Sequence, residues 1–306
     1  MLEKLRKAMK SADIDMLLIP SADPHGSEYP EEYFKARKHF SGFTGSAGTL
    51  LIWQGGAGLW TDGRYFIQAE RQLEGSGIDL FKMREPGVPT VDEFIAENIK
   101  GGVLGADLRT ISASEGMELE KGGAILKDCR SLIDGCWEGR PELSREPAYV
   151  LPMELAGVSA GDKLAAVRAE MAKCDANACI FTDLADIAWL FNIRGNDVKY
   201  LPVALSYAIV EKQKAYVFMD AAKGQYGLFF EEAIGLLKPG GVLLCDNVLQ
   251  DGDVLESRFA VTRRNRTIHS RMREYLYALK HNAGLETAIL NIGDGMSLSI
   301  KKNEKW

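Results

Sequence analysis

The stretch SYAIVEKQKAYVFMDAAKGQY, residues 206–226, separates two parts of the chain that have different sequence patterns. Two apolar runs, 207–210 and 215–219, flank a polar turn, and this pattern predicts a β-hairpin. Asp220 and Lys223 follow the second run. Open α/β sheets bind their ligands at the carboxyl ends of their strands. The stretch therefore predicts either a ligand site that contains Asp220 and Lys223 or a solvated turn between a strand and a helix.

A second strand downstream ends in the same way. A helix is predicted over residues 227–237 and a buried strand over 242–245, and Asp246 and Asn247 follow that strand directly. Together with Asp220, these residues offer three oxygen ligands, which suit Mg²⁺, Mn²⁺ or Ca²⁺ better than zinc. The alternative is that the Asp-Asn pair is an ordinary turn.

The end of the chain completes this pattern. Apolar positions at helical spacing predict a helix over residues 263–280, and LETAILNIGDGMSLSIKK, residues 285–302, predicts a terminal hairpin. With DAAKGQY (220–226) and LLKPGGVLLCDNVL (236–249), this segment resembles the C-terminal part of cation-dependent O-methyltransferases of the catechol and caffeoyl-CoA type. The resemblance covers residues 219–306.

That resemblance assigns roles to individual residues. Asp220, Asp246 and Asn247 match the metal ligands of the family, and Lys223 matches the lysine that helps to deprotonate the acceptor hydroxyl. A bound Mg²⁺ or Mn²⁺ would polarise two vicinal oxygens of a small catechol-like acceptor. The glycine-rich loop and the acidic residue that hold S-adenosylmethionine in the family have no counterpart in this chain. The resemblance therefore implies a metal site without its methyl donor.

The beginning of the chain has a different organisation. An amphipathic helix, a short strand at residues 16–19 and two neighbouring strands at 50–53 and 58–60 predict an α/β layer. A turn at 61–64 then leads into a helix at 65–73. Glycines at positions 42, 45 and 48 suit tight turns, but their spacing is not that of a phosphate-binding loop.

Polar residues near these turns are the other candidates. Arg64 is placed either to bind a substrate carboxylate through two hydrogen bonds or to tie the turn structurally. His25 and His39 have no carboxylates at ligand spacing, and we interpret them as loop and surface residues rather than metal ligands.

The motifs IPSADPHGSEY (19–29), FSGFTGSAGT (40–49) and LWTDGRYFIQAERQL (59–73) resemble the N-terminal domain of Xaa-Pro aminopeptidases (aminopeptidase P), of the creatinase/prolidase type. The stretch at 182–210, together with a helix predicted from Ser159 to about residue 173, is similar to their second, pseudo-repeated domain. The resemblance covers residues 1–217. It implies a homodimer and a peptidase centre of two metal ions in a later domain, whose ligands are not found after residue 218. Peptidase activity is therefore expected to be absent.

Together these patterns predict an α/β protein with two layered domains, residues 1–150 and 151–306. The first is creatinase N-terminal-like. In the second, residues 151–218 begin a mixed sheet and residues 219–306 complete it as a Rossmann-like methyltransferase C-terminal part. Three functions remain open: a metal site of methyltransferase type, a non-catalytic binding or dimerisation protein, and a fragment of an Xaa-Pro aminopeptidase.

The composition of the chain argues against several classes of function. The chain has 306 residues, 46% hydrophobic and 26% charged, which is typical of a globular protein. A net charge of −6 with dispersed basic residues argues against nucleic-acid binding. No segment reaches the ~18 apolar residues of a membrane span. The five cysteines show neither disulfide nor zinc-ligand spacing. We therefore expect a cytoplasmic protein without nucleic-acid or membrane partners.

Overall fold

The computed structural model describes residues 1–144, 146–219, 230, 234–235, 237, 239–245, 248–257, 260–261, 266–291 and 295–302. The chain divides into two compact units, Met1–Glu142 (unit 1) and Leu143–Trp306 (unit 2). Both mix helices and strands, so the predicted α/β class is confirmed.

Unit 1 is built on a mixed sheet of six strands in the order β4-β3-β2-β1-β5-β6. Strand β1 pairs antiparallel with β2 and parallel with β5, which places it at the centre of the sheet. The strands are β1 (Met16–Pro20), β2 (Thr49–Trp53), β3 (Gly56–Thr61), β4 (Asp79–Lys82), β5 (Val103–Ala106) and β6 (Ile125–Asp128). The helices are α1 (Leu2–Ser11), α2 (Ala36–Ser41), α3 (Phe66–Leu73), α4 (Val91–Ile99), α5 (Ala113–Lys121) and α6 (Arg130–Cys136), with short 3-10 helices at Glu32–Phe34 and Leu108–Thr110.

Helices cover both faces of this sheet. Leu17 and Ile19 of β1 contribute to a core with α1, α2, α3 and α6, whereas Met16 and Leu18 contribute to a second core with α4 and α5. This alternation follows from the two-residue period of a strand, and the apolar run of β1 fits burial on both faces.

One part of the expectation for His39 was wrong. It lies in α2 rather than in a loop, and its half-exposed ring stacks on Trp137 with centroids 4.5 Å apart. Burial against this ring lowers the pKa of His39. Because the aromatic partner lies almost a hundred residues away in sequence, no local pattern could indicate it.

Unit 2 contains two three-stranded sheets and a two-stranded one among its described residues, with orders β11-β10-β8, β12-β14-β13 and β7-β9. The strands are β7 (Tyr149–Val150), β8 (Ala178–Phe181), β9 (Ile193–Arg194), β10 (Ser206–Glu211), β11 (Ala215–Met219), β12 (Val242–Cys245), β13 (Leu285–Leu290) and β14 (Met296–Lys301). The helices are α7 (Met153–Ala156), α8 (Ala160–Lys173), α9 (Leu184–Phe191) and α10 (Arg266–His281), with a 3-10 helix at Gln250–Leu255.

The hairpin predicted from the apolar runs 207–210 and 215–219 is confirmed. β10 and β11 pair antiparallel from Ser206↔Met219 to Val210↔Ala215. Ser159 caps α8 as expected, since its side chain accepts the N–H of Asp162. β12 and the terminal hairpin β13–β14 also form, whereas the helix expected over residues 227–237 and the turn at 292–294 lie largely outside the described residues.

Each three-stranded sheet has its own core. Leu164 of α8, Ile187 of α9 and Ala208 of β10 belong to one cluster, while Met272 and Tyr275 of α10 belong to another. Strands β11 and β12 belong to different sheets and approach each other, so the two parts of unit 2 meet there.

A partly buried carboxylate in unit 2 makes stability depend on pH. Asp197 accepts the Leu205 N–H at 2.7 Å, and burial raises the pKa of its side chain. The folded state therefore holds this proton to a higher pH than the unfolded chain, and the free energy of unfolding falls as pH rises above about 4. We expect Asp197→Asn, which keeps an acceptor oxygen, to be more stable than wild type at pH 7 by about 1 kcal/mol or less. Urea unfolding at pH 7 and below pH 4 measures this, and an equal difference at both pH values would contradict it.

Candidate functional site

The candidate metal ligands Asp220, Asp246 and Asn247, and the candidate base Lys223, lie outside the described residues. The residues that flank them are described. β11 ends at Met219, directly before Asp220, and β12 ends at Cys245, directly before Asp246. β11 and β12 belong to different sheets but approach each other, so the two strands that lead into the candidate ligands lie in one region of unit 2.

Hydrogen bonds hold the end of β12 in place. The Val248 N–H donates to the Gly295 carbonyl at 2.9 Å, which joins the segment after β12 to the residue directly before β14. The thiol of Cys245 lies 2.8 Å from the Tyr275 hydroxyl of α10. Burial raises the pKa of Cys245. This thiol therefore behaves as a partly buried packing group rather than as a reactive cysteine.

A lysine secures the chain before β12. Lys301 of β14 donates from Nζ to the Ile234 carbonyl at 2.9 Å and to the Leu237 carbonyl at 2.7 Å. Lysines commonly satisfy the free carbonyls at the end of a helical segment in this way. Strand β14 and the residue before it therefore support the chain on both sides of β12.

The other sequence candidate, Arg64, lies in unit 1. Its Nε and Nη2 atoms each lie 2.9 Å from an oxygen of Asp62. The Asp62 carboxylate also accepts the Arg64 N–H at 3.0 Å. The hydrogen bond from Arg64 lowers the pKa of Asp62. The Arg64 side chain is 65% exposed, so its guanidinium has an open side besides the one that binds Asp62.

The loop after α2 is bound by a buried arginine and contacts Tyr65, the residue after Arg64. Arg37 of α2 is buried and donates to three oxygens: Ser21 Oγ at 2.8 Å and the carbonyls of Phe43 and Gly45, each at 2.5 Å. Desolvation lowers the pKa of Arg37 to about 10. In the loop itself, Ser46 Oγ lies 2.8 Å from the Tyr65 hydroxyl, next to Arg64 in sequence.

The glycine at position 45 is required by packing. A Cβ atom there would lie 2.9 Å from the rings of Phe43 and Tyr65. The glycine therefore lets the rings of Phe43 and Tyr65 pack against the loop whose carbonyls accept hydrogen bonds from Arg37. Sequence reasoning missed Arg37, because a single arginine in a short helix carries no signal of burial.

Within the ranges that the structure describes, no group of three or more His, Cys, Asp or Glu side chains is arranged to hold a metal ion. Arg64 and the flanks of the candidate metal ligands belong to different units. No helix among the described residues is long and apolar enough to cross a membrane.

Comparison with known families identifies the two parts of the chain. Residues 1–136 and 139–236 match two models of the creatinase/prolidase N-terminal domain, and residues 198–302 match the O-methyltransferase family. The chain therefore carries creatinase/prolidase N-terminal domains followed by an O-methyltransferase part, as predicted. The matches overlap over residues 198–236, which include the hairpin β10–β11.

The relatives of the first part are aminopeptidases P. Aminopeptidase P1 from Lotus japonicus is 40% identical over 223 residues, covering 71% of this chain and 33% of the relative. A probable Xaa-Pro aminopeptidase P from Coccidioides posadasii is 41% identical over 229 residues, covering 72% of this chain and 37% of the relative. The crystal structure of the X-prolyl aminopeptidase from Caenorhabditis elegans, described as a cytosolic enzyme with a di-nuclear active site, has a TM-score of 0.67 and 32% identity, covering 75% of this chain and 41% of that one. The chain thus spans about a third of the length of these curated relatives.

Proposed function

We propose that the protein is a hybrid whose O-methyltransferase-like part binds a divalent cation, Mg²⁺ or Mn²⁺, through Asp220, Asp246 and Asn247. The observation that carries this proposal is the position of these residues directly after β11 and β12, two strands that belong to different sheets but approach each other. Two carboxylates and one amide oxygen form a donor set that suits a hard cation. A cation bound there would lower the pKa of a hydroxyl on a catechol-like ligand, and Lys223 would take the proton.

The chain beside this site does not fit S-adenosylmethionine. β11 pairs antiparallel with β10, so its neighbour is the other strand of a creatinase-like hairpin. Between Gly195 and Gly224 the chain contains no glycine, so no glycine-rich loop of the kind that lets the backbone approach a cofactor precedes Asp220. We therefore propose a metal site that does not transfer methyl groups.

Calorimetric titration of the whole chain with Mn²⁺ tests the proposal. We expect saturable binding that Asp246→Ala weakens by at least about tenfold. Asp186→Ala, which removes an exposed carboxylate of α9, serves as the matched control and should bind as wild type does. A folded wild-type protein that gives no saturable heat would refute the site, and S-adenosylmethionine binding to the Mn²⁺-loaded protein would refute the absence of a methyl donor.

We also propose that this chain has no peptidase activity and works in the cytoplasm without nucleic-acid partners. The support is that the residues directly after the creatinase-like domains match an O-methyltransferase. The nematode relative that shares the fold of the first part is described as cytosolic. Release of the N-terminal residue from an Xaa-Pro peptide would refute the absence of peptidase activity and favour an aminopeptidase P function. Arg64 would then be available to bind a peptide carboxylate.

A further inference from the structure

An open cleft lies in unit 1, between the first two turns of α1, the end of α2 and the turn that precedes β4. Its volume is about 450 Å³, which is within the range of roughly 300–1,000 Å³ that is typical of small-molecule sites. Neither Arg64 nor Arg37 lines it. The cleft is therefore separate from the arginines described above, and it shares no residue with the proposed metal site.

Two oppositely charged side chains of α1 line this cleft. Glu3 and Arg6 are three residues apart, so they are neighbours on the helix surface, with Cβ atoms roughly 5–6 Å apart. Among the described residues, neither forms an ion pair. Arg6 donates from Nε to the Trp53 carbonyl at 3.0 Å, which holds the guanidinium and leaves its two Nη groups for another acceptor. The cleft thus offers a carboxylate and a guanidinium to a ligand.

A histidine of α2 also lines the cleft, and its ring is held on two sides. His39 stacks on Trp137 with centroids 4.5 Å apart and packs edge-on against Phe40 at 4.9 Å. Burial lowers the pKa of His39, so the ring is neutral at pH 7. A neutral imidazole has one donor and one acceptor nitrogen, and neither is hydrogen-bonded within the part of the chain that the structure describes. His39 therefore supplies a fixed hydrogen-bonding group without adding charge.

The rest of the cleft is largely apolar side chain or open backbone. Phe40 and Ile78 belong to the core that contains residues of α1 and α2, and Leu2 packs against it. Gly42 and Gly77 border the cleft with φ values of +72° and +73°, and a Cβ atom at either would meet nothing within 4 Å. The cleft therefore combines an apolar surface with free space beside it.

We propose that this cleft binds a free α-amino acid with an apolar side chain. The ligand's carboxylate would accept from the Nη groups of Arg6, and its ammonium group would donate to Glu3 and to the acceptor nitrogen of His39. Its side chain would pack on Leu2 and Phe40. A free amino acid carries both charges on one carbon atom, which suits two side chains that are one helical turn apart. Because ion pairs exposed to water contribute little, we expect a dissociation constant on the order of 0.1–1 mM.

Calorimetric titration of the full chain with L-leucine tests the charges. We expect saturable binding that Glu3→Gln weakens at least about fivefold, because this variant keeps the shape of the side chain and removes the charge that pairs with the ammonium group. Glu97→Gln is the matched control, since Glu97 is an exposed carboxylate of α4 that does not line the cleft. Isopentylamine, which lacks the carboxylate, and isocaproate, which lacks the ammonium group, should each bind at least about fivefold more weakly than leucine.

A steric variant locates the site independently. Gly77→Asn adds a side chain at the border of the cleft, and asparagine tolerates the left-handed conformation better than most residues. This variant should lose leucine binding. Gly75→Asn is the matched control, because Gly75 has a φ of +70° and equally free space around it but does not line the cleft. Circular dichroism should show that both variants are folded.

Four results would overturn the proposal. A folded wild-type protein that gives no saturable heat with leucine would refute the site. Isopentylamine or isocaproate that binds as well as leucine would refute recognition of both charges. Tighter binding of leucyl-leucine would assign the cleft to peptides instead of free amino acids. Equal leucine binding by Gly77→Asn and Gly75→Asn would place the ligand elsewhere on the protein.

Discussion

Arg37→Met is expected to lower the free energy of unfolding of unit 1 by about 2–4 kcal/mol. The substitution leaves the Phe43 and Gly45 carbonyls without the guanidinium that binds them at 2.5 Å. A buried acceptor that loses its donor costs about 1–3 kcal/mol. Methionine retains much of the apolar stem of arginine, so the loss reports mainly on these hydrogen bonds.

An opposing effect limits the size of this loss. Burial lowers the pKa of Arg37 to about 10, which means that the fold bears a cost for holding the charge. Methionine removes that cost, but it also removes all three hydrogen bonds. When one partner of a buried charged group and its hydrogen-bond acceptors is removed, the protein usually loses more stability than it regains by no longer burying the charge.

Thermal and urea unfolding of Arg37→Met measure the effect, with Arg64→Met as the matched control. Arg64 is exposed and its ion pair with Asp62 is local, so this variant should unfold close to wild type. The stability of Arg37→Lys should fall between those of wild type and Arg37→Met, because one ammonium group cannot reproduce the planar arrangement of N–H donors of the guanidinium. If Arg37→Met were as stable as Arg64→Met, the guanidinium would not be what holds the loop at residues 43–48.

Local patterns predicted the elements whose signals lie within a few residues. The hairpin β10–β11 followed from two apolar runs around a polar turn, and the start of α8 followed from Ser159 as a capping residue. Strand β12 followed from four consecutive apolar residues. The family resemblance identified both parts of the chain because it rests on long ordered motifs.

Features that depend on distant residues could not be predicted in the same way. Strands β4 and β6 contain charged residues in four-residue segments, so they show no clear apolar period. They form because they pair with β3 and β5. The burial of Arg37 depends on carbonyls of the following loop, and the stacking of His39 depends on Trp137. Tertiary contacts decide such features, and propensity alone does not indicate them.

Gly295→Ala is expected to lower the free energy of unfolding of unit 2 by about 2–4 kcal/mol. Gly295 has a φ of +82°, a conformation that costs other residues roughly 1–2 kcal/mol. A Cβ atom would also lie 2.7 and 2.8 Å from side-chain carbons of Leu249. Leu249 packs against the core formed with α10, so it cannot move aside without disturbing that core.

Gly252→Ala separates these two contributions. Gly252 has a φ of +90°, but a Cβ atom there would meet nothing within 4 Å. The decrease in the free energy of unfolding of Gly252→Ala should therefore measure the backbone cost alone. The additional decrease in Gly295→Ala, about 1–3 kcal/mol, should measure the overlap of the methyl group with Leu249. Urea unfolding of both variants measures the difference, and equal losses would mean that the chain around Gly295 accommodates the added methyl group.

Because the Gly295 carbonyl accepts the Val248 N–H directly after Asn247, Gly295→Ala should also weaken Mn²⁺ binding while Gly252→Ala does not. A variant that loses stability but binds Mn²⁺ unchanged would separate this turn from the proposed metal site.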